Sequence, residues 1–237
     1  MKVLIVGASG RTGLRLVTKL SARENEVFAL VRNAAKARAL LPPGTHIVVH
    51  DLQDYSGFNR LVQGMDVVIF AAGSTAYKDY WKGSNRPRYI DFEAVRQMAM
   101  AADNNGVRKF ILISSMGVSK PFNFLNLFGR VLHWKLQGEN ALRSTHLNYT
   151  IIRPGRLTDD GYFTEQLQIV QDDKVRYKSI SRAELAEVVA QCIAYPAATR
   201  TTFEVYRRGY ALPDALTSQL DELVPDEYRS AYVRETA

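Results

Sequence analysis

Residues 1–17 read MKVLIVGASGRTGLRLV. The apolar run Val3-Leu4-Ile5-Val6 breaks into glycines at Gly7, Gly10 and Gly13, after which apolar residues return at helical spacing. A buried strand that passes through a glycine turn into a helix leaves backbone N–H groups aimed at one spot, with the positive end of the helix dipole behind them. That spot favours a phosphate. Gly7 permits the sharp turn, Gly10 lets a ligand approach without a Cβ, and Gly13 lets the helix pack on the strand, while Ser9, Arg11 and Thr12 fill the loop between them. The G-x-x-G-x-x-G spacing is one residue wider at its start than the usual dinucleotide fingerprint. Dinucleotide binding is the expectation, and a purely structural turn is the alternative.

Working outward, strand and helix patterns alternate. Candidate strands fall at 2–7, 26–32, 46–52, 66–73, 109–115, 149–155 and 202–206, and candidate helices near 12–22, 55–63, 87–104, 124–145, 182–194 and 213–223. Most of the strands are continuous apolar runs, the mark of a parallel sheet covered on both faces. The pattern predicts an α/β fold: a Rossmann-type, doubly wound, mainly parallel sheet in a single domain over 1–228, followed by a mobile tail at 229–237. Two longer connections, 74–86 and 156–178, are expected to form a lid, because ligands of open parallel sheets lie beyond the strand C-termini.

The composition is that of a globular protein: 237 residues, 46% hydrophobic and 23% charged. No apolar run approaches the ~18 residues of a membrane span, and the chain opens on a strand pattern instead of a leader, so a soluble cytoplasmic protein is expected. Cys192 lies within a helical apolar pattern and reads as a small core residue. The net charge of +7 and pI near 9.5 suit an anionic partner, either a phosphate-bearing cofactor or an acidic protein surface. The cations are scattered and no nucleic-acid motif accompanies them, so nucleic-acid binding is not expected. His46, His50 and His146 do not show metal-ligand spacing, and no metal site is predicted.

The second strand ends ALVRN, residues 29–33. NAD sites usually carry an acid there for the adenosine ribose hydroxyls, whereas Arg32 supplies a guanidinium that suits a 2′-phosphate, and Arg11 can approach the same ribose. NADP(H) is therefore the expected cofactor. A solvent-exposed strand-end arginine is the alternative.

In this order, GASGRTG, LVRN, HDL, AAG, YIDFEAV, FILISSMG, FLNLFGRVLHWK, YTIIRPG and ISRAELAEVV resemble the atypical short-chain dehydrogenases/reductases over residues 1–206. The likeness is closest to a plant and cyanobacterial NADP-binding branch that includes a plastid translocon-associated subunit, and more distant to biliverdin-IXβ/flavin reductases. The resemblance implies that Asp51 and Leu52 lie by the adenine, and Ala71, Ala72 and Gly73 along the centre of the cofactor. It places Ser115 near the nicotinamide, Lys135 on its ribose hydroxyls, and Arg153, Pro154 and Gly155 beside it. Plainer readings stand next to these: a solvated strand end for Asp51, packing for the small residues, and strand termination for Pro154.

One departure matters. Reactive members of the family carry a tyrosine four residues before the lysine, on the same helix face, and here that position is Val131. A valine neither gives nor takes a proton, so the usual acid–base step has no owner. His133 is a weak substitute because it points to another face, and Tyr77 and Tyr80 read either as lid residues or as residues reaching over the nicotinamide. Ser115 and Lys135 remain the catalytic candidates. Two functions stay open: an NADPH-dependent reductase acting on a flavin-, quinone- or pigment-like acceptor, and a catalytically silent NADP(H) sensor or scaffold that docks a protein partner. The sequence names neither the acceptor nor the oligomeric state.

Overall fold

The chain runs through β1 (Lys2–Val6), α1 (Arg11–Ser21), β2 (Glu26–Val31), α2 (Ala34–Leu40), β3 (His46–Val49), α3 (Phe58–Val62), β4 (Val67–Phe70), a π-helical segment Arg88–Ala94 continuing into α4 (Val95–Asn104), and β5 (Lys109–Ile113). There follow α5 (Val131–Arg143), β6 (Tyr149–Pro154), β7 (Arg156–Thr158), β8 (Leu167–Val170), β9 (Ser179–Ser181), α6 (Arg182–Ala194), β10 (Thr201–Arg207) and α7 (Leu216–Asp221). The computed structural model describes residues 1–74, 87–120, 126, 129–173, 178–209 and 215–227. The expected lid residues 75–86 with Tyr77 and Tyr80, residues 174–177 of the second lid segment, and the expected tail 229–237 lie outside them.

Eight strands form one sheet in the order β3-β2-β1-β4-β5-β6-β10-β8. All neighbours are parallel except β8, which runs antiparallel to β10 with Ile169 opposite Val205. This is the expected Rossmann-type fold. Successive side chains of β1 serve opposite faces: Val3 and Ile5 pack with Leu16 and Leu20 of α1 and Val188 of α6, while Leu4 and Val6 pack with Phe58 of α3, Met98 of α4 and Leu142 of α5. A strand buried on both sides has no polar face to show, which is why these runs are continuously apolar. Each fully buried side chain of this size contributes about 1.5–3 kcal/mol.

The chain winds outward from β1 to β3 and then returns to β4 beside β1. Connections on the two sides of β1 leave in opposite directions, and a crevice opens there at the strand C-termini. α1 begins hard against this point: a Cβ on Gly13 would lie 2.2 Å from the Gly7 carbonyl oxygen. On the same face α6 is started by a capping box, in which the Ser181 hydroxyl accepts from the Glu184 N–H and Glu184 accepts from the Ser181 N–H.

Two parts of the fold differ from the sequence expectation. α2 was absent from it because NAAKARAL offers little apolar stripe; only Ala37 and the following Leu41 are buried, and the helix is started by Asn33, whose side chain accepts from the Lys36 N–H. The stretch 156–178, read as a connection, contains β7, β8 and residues leading into β9. β7 pairs with β9 in a separate two-stranded sheet. These strands are three or four residues long, and such short pieces become strands through the partner they find rather than through their own pattern.

Candidate functional site

Gly7 adopts φ +82°, and the N–H groups of Gly7 and Ala8 both reach the Leu30 carbonyl of β2 at 3.3 Å. The glycine turn is thereby tied to the second strand. A Cβ on Gly7 would lie 2.9 Å from the Ala72 backbone, so the turn and the end of β4 close to within a glycine's width of each other. α1 starts at Gly10 with no side-chain cap and no acid in its first turn. Its first N–H groups and its dipole are left for an anion.

Above this turn lies a cleft of about 390 Å³. Gly7, Ser9 and Gly10 form one wall, and Ala71, Ala72, Gly73 and Ser74 the other. Arg32, His50, Asp51 and Leu52 line its outer end together with Lys36, and Ile90 lies along it. The structure thus brings Gly7, Ser9, Gly10, Arg32, Asp51, Leu52, Ala71, Ala72 and Gly73 into one space, although they come from four separate strand ends. Lys36 was not anticipated; its signal is the R-x-x-x-K spacing, which sets it one turn into α2 after Arg32. His50, which entered the sequence reading only in connection with metals, lines the cleft with its Nε2 donating to the Asp54 carbonyl at 2.6 Å. Its ring occupies the place of a Gly57 side chain, since a Cβ there would lie 2.4 Å from His50 Cε1. Asp51 accepts from the Gln53 N–H at 3.0 Å and so also shapes the local turn.

Arg11, Thr12 and Gly13 stand in the first turn of α1, outside the cleft lining. The Arg11 guanidinium pairs with Asp159, which also binds Arg182 at 3.0 Å. It is turned toward the segment after β7.

At the inner end, Lys135 on α5 donates from Nζ to Asp91 Oδ1 at 2.7 Å. The Asp91 side chain is 1% exposed and that of Lys135 is 16% exposed. The other carboxylate oxygen of Asp91 accepts from the Ser74 N–H at 3.2 Å and from the Ser74 hydroxyl. Gly73 makes room for this group, because a Cβ there would lie 3.1 Å from Lys135 Nζ and 3.2 Å from Asp91 Oδ1. A second, small void of about 10 Å³ is bordered by Ala72, Asp91, Ser114 and Lys135. Asp91, Ser74 and Ser114 were not anticipated, because they become neighbours of Lys135 only through packing.

Ser115 follows β5 with its hydroxyl donating to the Met116 carbonyl at 3.2 Å, and the Met116 N–H donates to the Pro154 carbonyl at 3.0 Å. These residues lie beyond the two cavities, at the ends of β5 and β6. Val131 is buried one turn before Lys135. His133 packs edge-on against Trp134 at 5.0 Å, and burial, helped by Arg130, lowers its pKa, which leaves it neutral near pH 7. Arg153, expected to flank a nicotinamide, is buried in ion pairs: it donates to Glu139 at 3.0 and 2.7 Å and to Asp173 at 2.8 Å. Burial opposes its charge, but these carboxylates outweigh that cost and raise its pKa.

A doubly wound sheet with a glycine turn at its switch point and a cleft across it defines a nucleotide-cofactor-binding protein of the Rossmann type. A family profile described as NAD(P)H-binding matches residues 7–196, and the chain belongs to that family as an atypical short-chain dehydrogenase/reductase, an oxidoreductase class. It is 32% identical to protein TIC 62 of Arabidopsis thaliana over 81% of this chain but 33% of that one, so it spans about a third of that relative's length. It is 26% identical to sanguinarine reductase of Eschscholzia californica over 86% of this chain and 88% of that protein. Among solved structures, a protein of Bacillus halodurans assigned as an NAD-dependent epimerase/dehydratase superposes with a TM-score of 0.81 at 28% identity, covering 94% of this chain and all of that one. TIC 62 and two other Arabidopsis relatives are chloroplastic, which overturns the expectation of a cytoplasmic location. A compartment address is read by a receptor and leaves no imprint on a packed domain, so the sequence of the fold could not supply it. Among the described residues, no helix is long and apolar enough to cross a membrane.

Proposed function

We propose that this protein binds NADP(H) and passes hydride to an acceptor that needs no positioned acid, of flavin, quinone or pigment type. The observation that carries this reading is a pairing of two features: Arg32 at the end of β2, where NAD sites carry an acid, and Val131 one turn before Lys135, where a proton donor would stand. Arg32 and Lys36 suit a 2′-phosphate, and Asp51 and Leu52 suit the adenine side. The uncapped start of α1, with Ser9, Gly10, Thr12 and Gly13, suits the pyrophosphate, and Arg11, once released from Asp159, would approach the same ribose as Arg32. Ala71 to Gly73 leave room for the centre of the cofactor, and Ser115, Lys135 and Pro154 suit the nicotinamide end. The bound cofactor would supply hydride; the protein holds and orients it. A carbonyl needs a proton on the developing alkoxide, whereas a flavin or quinone collects its proton from water.

The likeness to sanguinarine reductase over most of both chains supports turnover. The likeness to TIC 62 and the net charge of +7 support a second reading, a sensor or scaffold that docks an acidic protein partner. Steady-state NADPH oxidation with flavins, quinones and aldehydes separates the two. Turnover with the first two acceptor classes alone is expected. Efficient aldehyde reduction overturns the acceptor assignment, and tight NADPH binding without any turnover favours the sensor.

A further inference from the structure

The buried carboxylate of Asp91 has no place in the reading above. It stands in the π-helical segment, whose wider turn brings it against α5: the Asp91 carbonyl oxygen comes so near Gly138 that a Cβ there would lie 2.3 Å from it. Gly138 is three residues after Lys135, so this close approach brings the start of α5 within reach of the Asp91 side chain. A carboxylate this deeply buried persists only with partners. Among the described residues these are the Ser74 N–H and hydroxyl on one oxygen and the Lys135 ammonium on the other. Ser74 itself lines the main cleft, so the chain of contacts from cleft to lysine is continuous.

We propose, on the assumption that the cleft holds NADP(H), that Asp91 is the positioning residue of its inner end. With Ser74 it fixes Lys135 against Gly73 and balances its charge, making Lys135 a stationary hydrogen-bond donor to the cofactor instead of a free cation that activates a neighbouring acid. The arrangement fits the valine one turn before Lys135. A lysine that biases a phenol toward phenolate must act with uncompensated charge, whereas Lys135 is paired with Asp91 and the residue one turn before it is Val131.

The test compares Asp91→Asn, Lys135→Met and the double variant, with circular dichroism and thermal melting to confirm folding. Asparagine keeps the shape and the Ser74 contact but removes the charge. NADPH titration should show a loss of about tenfold for Lys135→Met and about three- to tenfold for Asp91→Asn, with the double variant no weaker than Lys135→Met. In the ligand-free protein, acetic anhydride labelling read by mass spectrometry should modify Lys135 several times faster in Asp91→Asn than in the parent, with Lys2 unchanged. Additive losses in the double variant, or an unchanged Lys135 labelling rate, would overturn the proposal. Should Asp91→Asn not fold, Ser74→Ala takes its place, with a smaller rise in Lys135 labelling expected and no rise counting against it. If the parent binds no NADPH, the proposed function falls while the labelling result still decides the role of Asp91.

Discussion

The two ends of the cleft handle charge in opposite ways. At the outer end Arg32 and Lys36 are exposed on the rim of β2 and α2, where water screens them and a ligand phosphate can recruit them. At the inner end Lys135 and Asp91 are packed away and partnered within the chain. An exposed cation is held at little cost until a ligand arrives; a buried one must be balanced at once by the fold. In the proposed reading, selectivity among ligands accordingly belongs to the rim, and geometry to the interior. The network below Lys135 follows the interior rule further, with Glu139 shared between Arg153 and Arg143 and Asp173 set against Arg153.

The largest effect should come where both ends depend on one contact. Gly13→Val forces side-chain atoms into the Gly7 carbonyl, and a loss of about 3 kcal/mol or more in thermal unfolding is expected, together with loss of cofactor binding at both ends. Wild-type stability in that variant would mean that α1 can shift and that the turn does not set the cleft.

Arg32→Ala should sharpen the distinction directly. NADPH binding is expected to fall by about 1.5–3 kcal/mol while NADH binding barely changes, measured by paired titrations. Equal losses for the two cofactors would remove the rim's role in selectivity. Arg11→Ala should act in the same direction but less, because Asp159 already occupies that guanidinium.

The interior has its own pH test. Burial, with Asp173 beside it, pushes the Glu204 carboxyl up to about 7 from an ordinary value of 4.5. Burial alone would raise Asp173 too, but Arg153 and Ser119 pull it down. The folded chain holds the Glu204 proton more tightly than the unfolded chain between those two values, so stability is full below pH 4.5 and falls as pH rises through 7. Glu204→Gln should remove this fall and raise stability at pH 8 by about 2 kcal/mol relative to the parent, as read from urea unfolding at a series of pH values. An unchanged pH profile would show that the carboxyl is already solvated. The smallest effect is expected for Lys36→Ala, about 0.5 kcal/mol in NADPH affinity and diminishing with added salt, as for an exposed charge.

Much of the fold and half of the site were legible in residues 1–33. The glycine turn and the apolar strands announce themselves because strand, turn and helix impose spacings on neighbouring residues, and Arg32 could be placed because it ends a strand whose partner begins at Lys2. His50 and Lys36 were within reach of the same logic, but their roles depend on which way a short helix and a turn fold back. α2 escaped notice because alanines and cations carry little periodic signal, and β8 because an edge strand of four residues is defined by β10, not by itself.

What the sequence determined alone is what local spacing encodes: a parallel doubly wound sheet, a phosphate-favouring turn at its first junction, and a cationic second strand end without an acid. What only the tertiary structure decided is which charges meet. Asp91 and Lys135 are 44 residues apart, and Arg153 in β6 and Asp173 in the loop after β8 are 20 apart. No periodicity links such residues. Their pairing follows from the way the π-helical segment, α5 and β6 pack, and in a low-dielectric interior that packing determines which ionised groups persist.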